Sequence, residues 1–186
     1  MRKFLLIMFL AIIVLASGEA LAQRTPHLGA LKVSLWPEYD QPSMLVLYDI
    51  ILATDTDLPT SLTFRIPATA GEPNGFGYYQ EGEDLPIKEG YSSQQDGDWL
   101  LVTFTVRTAH AHLEYYDPSL IIQAGNRHYD FIWPGDYDVE ALAIIVQQPK
   151  NATNLRLSPG EVSQASGIDD GLVYYSISAG PMAAGL

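Results

Sequence analysis

The chain contains no cysteine, so no disulfide can hold it and no thiol can act as nucleophile or metal ligand. Basic residues are scarce: ten Lys and Arg stand against 22 Asp and Glu, a formal net charge of -12. A surface this acidic excludes nucleic acid, whose phosphates need excess Lys and Arg, and disfavours anionic membrane surfaces. No G-x-S-x-G, H-E-x-x-H or EF-hand pattern occurs, which removes the common signatures of hydrolases, zinc proteases and calcium loops. Apart from the first segment there is no long stretch of helical period.

That first segment is one of targeting. Arg2 and Lys3 precede an apolar run from Phe4 to Ala16, and Ala20-Leu21-Ala22 places small residues where a signal peptidase reads. The run is shorter than the roughly 20 residues of a membrane span. Residues 1–22 are therefore expected to be a signal peptide, cleaved after Ala22. The mature protein is expected to be exported, extracellular or held at the cell surface or in the periplasm. A membrane anchor would require the chain to continue beyond Leu186.

The mature chain is organised around Met44 to Pro67, a nearly continuous apolar strand, a polar turn and a second, alternating strand. Leu31, Val33 and Leu35 alternate before it. Leu62, Phe64 and Ile66 alternate within it. Leu100, Val102, Phe104 and Val106 alternate after it. Period two over short segments bounded by Pro, Gly and Asp is the pattern of half-buried strands. Asp96-Gly97 marks a hairpin turn, and Gly125-Asn126 another between 120–124 and 128–133. The fold class is all-β.

A weaker copy of the central stretch lies at Val139 to Pro159. Ile50-Ile51-Leu52 answers to Ile144-Ile145-Val146, Phe64–Pro67 to Leu155–Pro159, and Asn74–Tyr79 to Asp170–Tyr175. The repeat predicts two Ig-like β-sandwich units in tandem: 23–134 the first, 135–186 the second and shorter. The second lacks counterparts for the strands at Trp99–Arg107 and His112–Tyr116. Completion by the first unit or truncation of the chain is favoured over a strand supplied by a partner.

The segments WPEYDQP (Trp36–Pro42), LEYYD (Leu113–Asp117) and WPGDY (Trp133–Tyr137) resemble a family of uncharacterised exported proteins from Chloroflexota-type bacteria. The resemblance covers most of the mature chain. It implies an exported tandem β-sandwich whose chain commonly runs on to a membrane helix, and it brings no catalytic residues.

Three kinds of site are candidates. Exposed aromatic rings stack on sugars, which makes Trp99, Tyr78 and Tyr79 candidate carbohydrate-binding residues. The acidic spacing at Asp136 and Asp138 could offer oxygens to a structural calcium ion, the one cofactor considered. His110 and His112, two apart on a strand, suit one metal if His128 or Glu114 supplies a third ligand. The bland readings are solvated turns for the aspartates and a solvent-facing pair for the histidines. The expected function is a cell-envelope structural or interaction module without catalytic activity, contacting an envelope protein or surface polysaccharide. The alternative is a carbohydrate-binding module, and a metal-dependent enzyme stands third.

Overall fold

A computed structural model describes residues 25–158, 162–166 and 171–185. The expected signal peptide lies outside them. Twelve strands and one short 3-10 turn, at Ala68–Ala70, are the regular elements of the described residues. The strands are β1 (Leu28–Pro37), β2 (Met44–Leu52), β3 (Thr60–Pro67), β4 (Gly75–Tyr78), β5 (Tyr91–Asp96), β6 (Trp99–Val106), β7 (His110–Asp117), β8 (Ile121–Gln123), β9 (Asn126–His128), β10 (Val139–Gln148), β11 (Val162–Ser166) and β12 (Val173–Met182). They form a seven-stranded sheet in the order β11-β12-β10-β1-β2-β7-β4, a three-stranded sheet β3-β6-β5 and the small hairpin β8-β9.

The all-β reading holds, and the alternation says why. Val33, Tyr48, Ile50, Leu113 and Tyr115 of the large sheet turn inward to meet Phe64, Ile66, Val102 and Phe104 of the small one. Their sequence neighbours point to solvent, as the pleat requires. Phe64 is the centre of the core, its ring packed against those of Tyr48, Phe104, Trp133 and Tyr137 at 5.8, 6.4, 6.5 and 5.1 Å. The Tyr48 and Tyr115 hydroxyls face each other at 3.4 Å. Burial pushes both far above the ordinary phenol range, so both stay neutral.

Turn chemistry closes both expected hairpins, each turn shifted by one residue from the expected pair. Gly97, at φ 60°, takes the first central position of the two-residue turn joining β5 to β6. That is where a type II′ turn needs glycine. Ala124 and Gly125, both at positive φ, join β8 to β9. The second hairpin is shorter than its sequence suggests, because pairing stops at His128. Tyr129, Phe131 and Trp133 continue to alternate inward, but they pack as an extended lid on the core without a neighbouring strand. Alternation reports one buried face, and hydrogen-bond pairing is a separate matter.

Residues beyond Pro134 join the first sheet. β10 runs parallel to β1, with Leu31 opposite Leu142 and Leu35 opposite Val146. β12 and β11 extend the sheet from there. Among the described residues, β10–β12 have no second facing sheet of their own. Their inward residues Ile144, Val146 and Ile177 instead line a cleft of about 650 Å³ with Phe131 and Leu157. The repeat is thus only partly mirrored in structure. β2 and β10 both flank β1, but in opposite directions. The segment matching β3 is irregular over residues 155–158.

The WPGDY segment explains part of this arrangement. β3 is an edge strand, and its outward N–H groups would be bare. The Thr63 N–H donates to the Tyr137 hydroxyl oxygen at 2.6 Å, and the Arg65 N–H donates to Asp136 Oδ2 at 2.9 Å. Arg65 Nε donates to Asp136 Oδ1 at 2.5 Å, and its Nη2 donates to the Pro134 carbonyl at 2.5 Å. Side chains take the place of a missing strand and blunt the edge. Asp136→Ala leaves Arg65 and a backbone N–H without their acceptor. It is expected to destabilise the fold by about 3 kcal/mol, read as a lower urea midpoint. An unchanged midpoint would sink the clamp.

Candidate functional site

Trp99 is half-buried where the two sheets end together. β3 finishes at Pro67, directly opposite Trp99 at the start of β6, and β7 finishes close by at Asp117. The connections leaving these strands gather around one open cleft of about 470 Å³. Its apolar lining includes Trp99, Tyr115, Tyr129, Phe131 and Ile132, and its polar lining includes Thr69, Asp98, Asp117, Ser119, His128 and Asp130. Loops held by a rigid scaffold are the usual location of binding groups.

Asp117 builds the wall. It is buried, and its Oδ1 accepts the Ser119 N–H at 2.9 Å, a local turn of the kind the Asp-Pro sequence favours. Its Oδ2 accepts the Tyr129 hydroxyl at 2.9 Å, which ties the 129–133 lid to the end of β7. Burial first, then the nearby Tyr115 and Asp117, push the Tyr129 hydroxyl far above its ordinary range, so it remains a donor. At the mouth, His128 Nε2 and Asp130 Oδ2 lie 3.2 Å apart, both exposed. Among the described residues no Lys or Arg lines the cleft.

The other two aromatic candidates are elsewhere. Tyr78 is 2% exposed and its ring belongs to the core. Its hydroxyl donates to Glu89 Oε1 at 2.7 Å, an oxygen that also accepts from Arg107 Nε at 2.7 Å. Arg107 follows the far end of β6, whose eight residues begin at Trp99. At about 3.3 Å per residue the two ends are on the order of 25 Å apart. Tyr78 and Trp99 therefore share no platform, and a ring buried to this degree cannot stack on a ligand. Tyr79 is half-buried against His110, with ring centres 4.4 Å apart. The sequence placed the three together by type; the sheet puts Tyr78 inside and Tyr79 on the opposite end from Trp99.

The two aspartates suggested for calcium each have partners within the protein. Both Asp136 oxygens are taken by Arg65. Burial pushes the Asp136 carboxyl above its ordinary range, and Arg65 only partly offsets this. Asp138 Oδ1 accepts the Ala184 N–H at 2.8 Å. Calcium needs six to eight oxygens. Among the described residues no three His, Asp or Glu side chains converge as a metal site.

His110 and His112 do share the outer face of β7, as their spacing predicts, but each turns to its own carboxylate. His110 Nε2 lies 2.6 Å from Asp49 Oδ1, and His112 Nε2 lies 3.1 Å from Glu114 Oε2. Lys32 Nζ bonds the other Asp49 oxygen at 2.5 Å. Burial raises the Asp49 carboxyl, but Lys32 and His110 together outweigh it and hold it low. His112 holds Glu114 low in the same way. Of the two suggested third ligands, Glu114 bonds His112 but not His110, and His128 lines the Trp99 cleft and not this face. The result is a polar ladder across β1, β2 and β7. It was invisible in sequence because Lys32, Asp49 and His110 meet only through strand register.

The cleft's own wall was also missed. Asp117-Pro118 reads as a turn and Tyr129–Trp133 as a strand, and only the fold brings them beside Trp99. No protein-family model matches the chain and no curated protein matches it, so the geometry of the Trp99 cleft carries the functional reading.

Proposed function

We propose that the chain is an exported interaction module that works by binding, without catalytic activity, and that the Trp99 cleft is its contact site. The observation that carries this is the convergence of loops from both sheets on one open, aromatic cleft at one end of the sandwich. A stiff scaffold holding loops in place presents a surface without having to reorganise it. Export rests on the N-terminal pattern of Arg2, Lys3 and the apolar run after them. An envelope protein or a surface polysaccharide is the partner class that this location supplies.

For the architecture, we propose that residues 135–186 derive from a second Ig-like unit. In this reading it folds against the first by joining its sheet through β1, and does not stand apart from it. The matched apolar runs of β2 and β10 support this reading.

A second functional reading, glycan binding, is favoured by the company Trp99 keeps. The apolar face of a sugar ring stacks on an indole, while its hydroxyls need donors and acceptors around the rim. Thr69, Asp98, Ser119, His128 and Asp130 provide them in this cleft. The test is intrinsic fluorescence of residues 23–186 titrated with soluble neutral and charged glycans. A saturable shift is expected for at least one glycan. Trp99→Ala should weaken it by about tenfold or more, equivalent to about 1.4 kcal/mol. The exposed control Leu85→Ala should leave it unchanged. A silent titration from a folded, monodisperse protein overturns the glycan reading and directs the search to protein partners.

A further inference from the structure

We infer that the cleft selects a glycan bearing free amines, an amino sugar, over neutral and acidic sugars. The inference rests on the glycan reading above and adds the sign of the ligand's charge.

Two independent features meet in the cleft. The first is its aromatic wall of Trp99, Tyr129 and Phe131. The face of an aromatic ring is negative, and an ammonium group within about 6 Å of it is attracted, most strongly by tryptophan. The second is the charge of the lining. Among the described residues Asp98, Asp117 and Asp130 contribute to it, with His128 beside Asp130, and no Lys or Arg does. The groups bonded to Asp117 are a backbone N–H and a phenol, both uncharged donors. Asp98 and Asp130 stand exposed at the mouth.

The same lining acts in opposite ways on the three sugar classes. A uronic acid or a sulfated sugar brings a further negative charge into a site with three aspartates and one histidine, which is repulsive on balance. A neutral sugar gains the stacking and the hydrogen bonds alone. An amino sugar gains these and also places its ammonium among carboxylates and ring faces. The chain's net charge of -12 acts in the same direction at longer range, steering a cationic ligand inward at low ionic strength. That general attraction is also the artefact the experiment has to separate from the site.

The experiment uses residues 23–186 and calorimetric titration with three tetramers: glucosamine, its N-acetylated counterpart and galacturonic acid. The glucosamine tetramer is expected to bind about tenfold or more tightly than the N-acetylated one. The galacturonic acid tetramer should not bind. Trp99→Ala should abolish saturable binding of the glucosamine tetramer. Asp98→Asn with Asp130→Asn should lower the ratio of glucosamine to N-acetylated affinity, whatever it does to the affinity for either tetramer alone. Equal affinity for the first two tetramers, lost together in Trp99→Ala, overturns the charge inference and leaves the glycan reading standing. No binding of any tetramer overturns both. Glucosamine binding unmoved by Trp99→Ala, or matched by tetralysine, shows general attraction to an acidic protein and overturns the assignment to the cleft.

Discussion

A chain ending at Pro134 is expected to be destabilised by about 5 kcal/mol or more relative to residues 23–186. The reason is what the core borrows from beyond that point. Tyr137 is buried, and its ring packs on Phe64 at 5.1 Å while its hydroxyl oxygen accepts from Thr63. Asp136 holds Arg65. Val139, Leu142 and Val146 are core members carried by β10, and β10 covers the edge of β1. Each large buried apolar side chain contributes about 1.5–3 kcal/mol. Removing one partner of a buried ion pair costs about 3 kcal/mol. A small domain has about 5–15 kcal/mol in total, so the shortened chain should be largely unfolded. Urea denaturation followed by circular dichroism compares the two lengths. Equal stability would mean that residues 23–134 fold alone and that the tandem units are independent.

Phe64→Ala is expected to cost about 4 kcal/mol, within the range for deleting a buried phenylalanine. Phe64 is fully buried and contacts four other aromatic rings, drawn from both sheets, the lid and the WPGDY segment. These neighbours are fixed by strand pairing or by the Asp136 clamp, so they cannot collapse into the space left behind. The cavity term therefore adds nearly in full to the lost transfer energy. Phe64→Leu, which keeps most of the volume, should lose markedly less. A drop below about 1 kcal/mol for Phe64→Ala would contradict a rigid aromatic centre at this position.

The candidate site was only partly legible. Trp99 is legible as a large aromatic at the solvent-facing start of a strong amphipathic strand, and it lines the cleft. Tyr78 failed on the same logic. Its neighbour Gly77 leaves the face of a short strand unmarked by alternation, and the tyrosine points inward with only its hydroxyl reaching Glu89. Asp136, beside Pro-Gly, reads as a solvated turn or a cation ligand. Its true partner, Arg65, is distant in sequence and adjacent only in space.

What the sequence alone determined is local: the strands β1, β2, β3, β6 and β7, the inward residues of β1, β3 and β6, and the Gly97 turn. A pleat of period two and a glycine at positive φ are properties of a few consecutive residues, written wherever those residues occur. What only the tertiary structure decided is pairing and neighbourhood. That β10 lies parallel to β1, that Tyr129–Trp133 is a lid and no strand, and that Asp117, Trp99 and His128 share a cleft are choices among competing partners. An apolar face records that it must be buried, and the hydrophobic effect that buries it has no direction. The identity of the partner comes from how all the faces fit together.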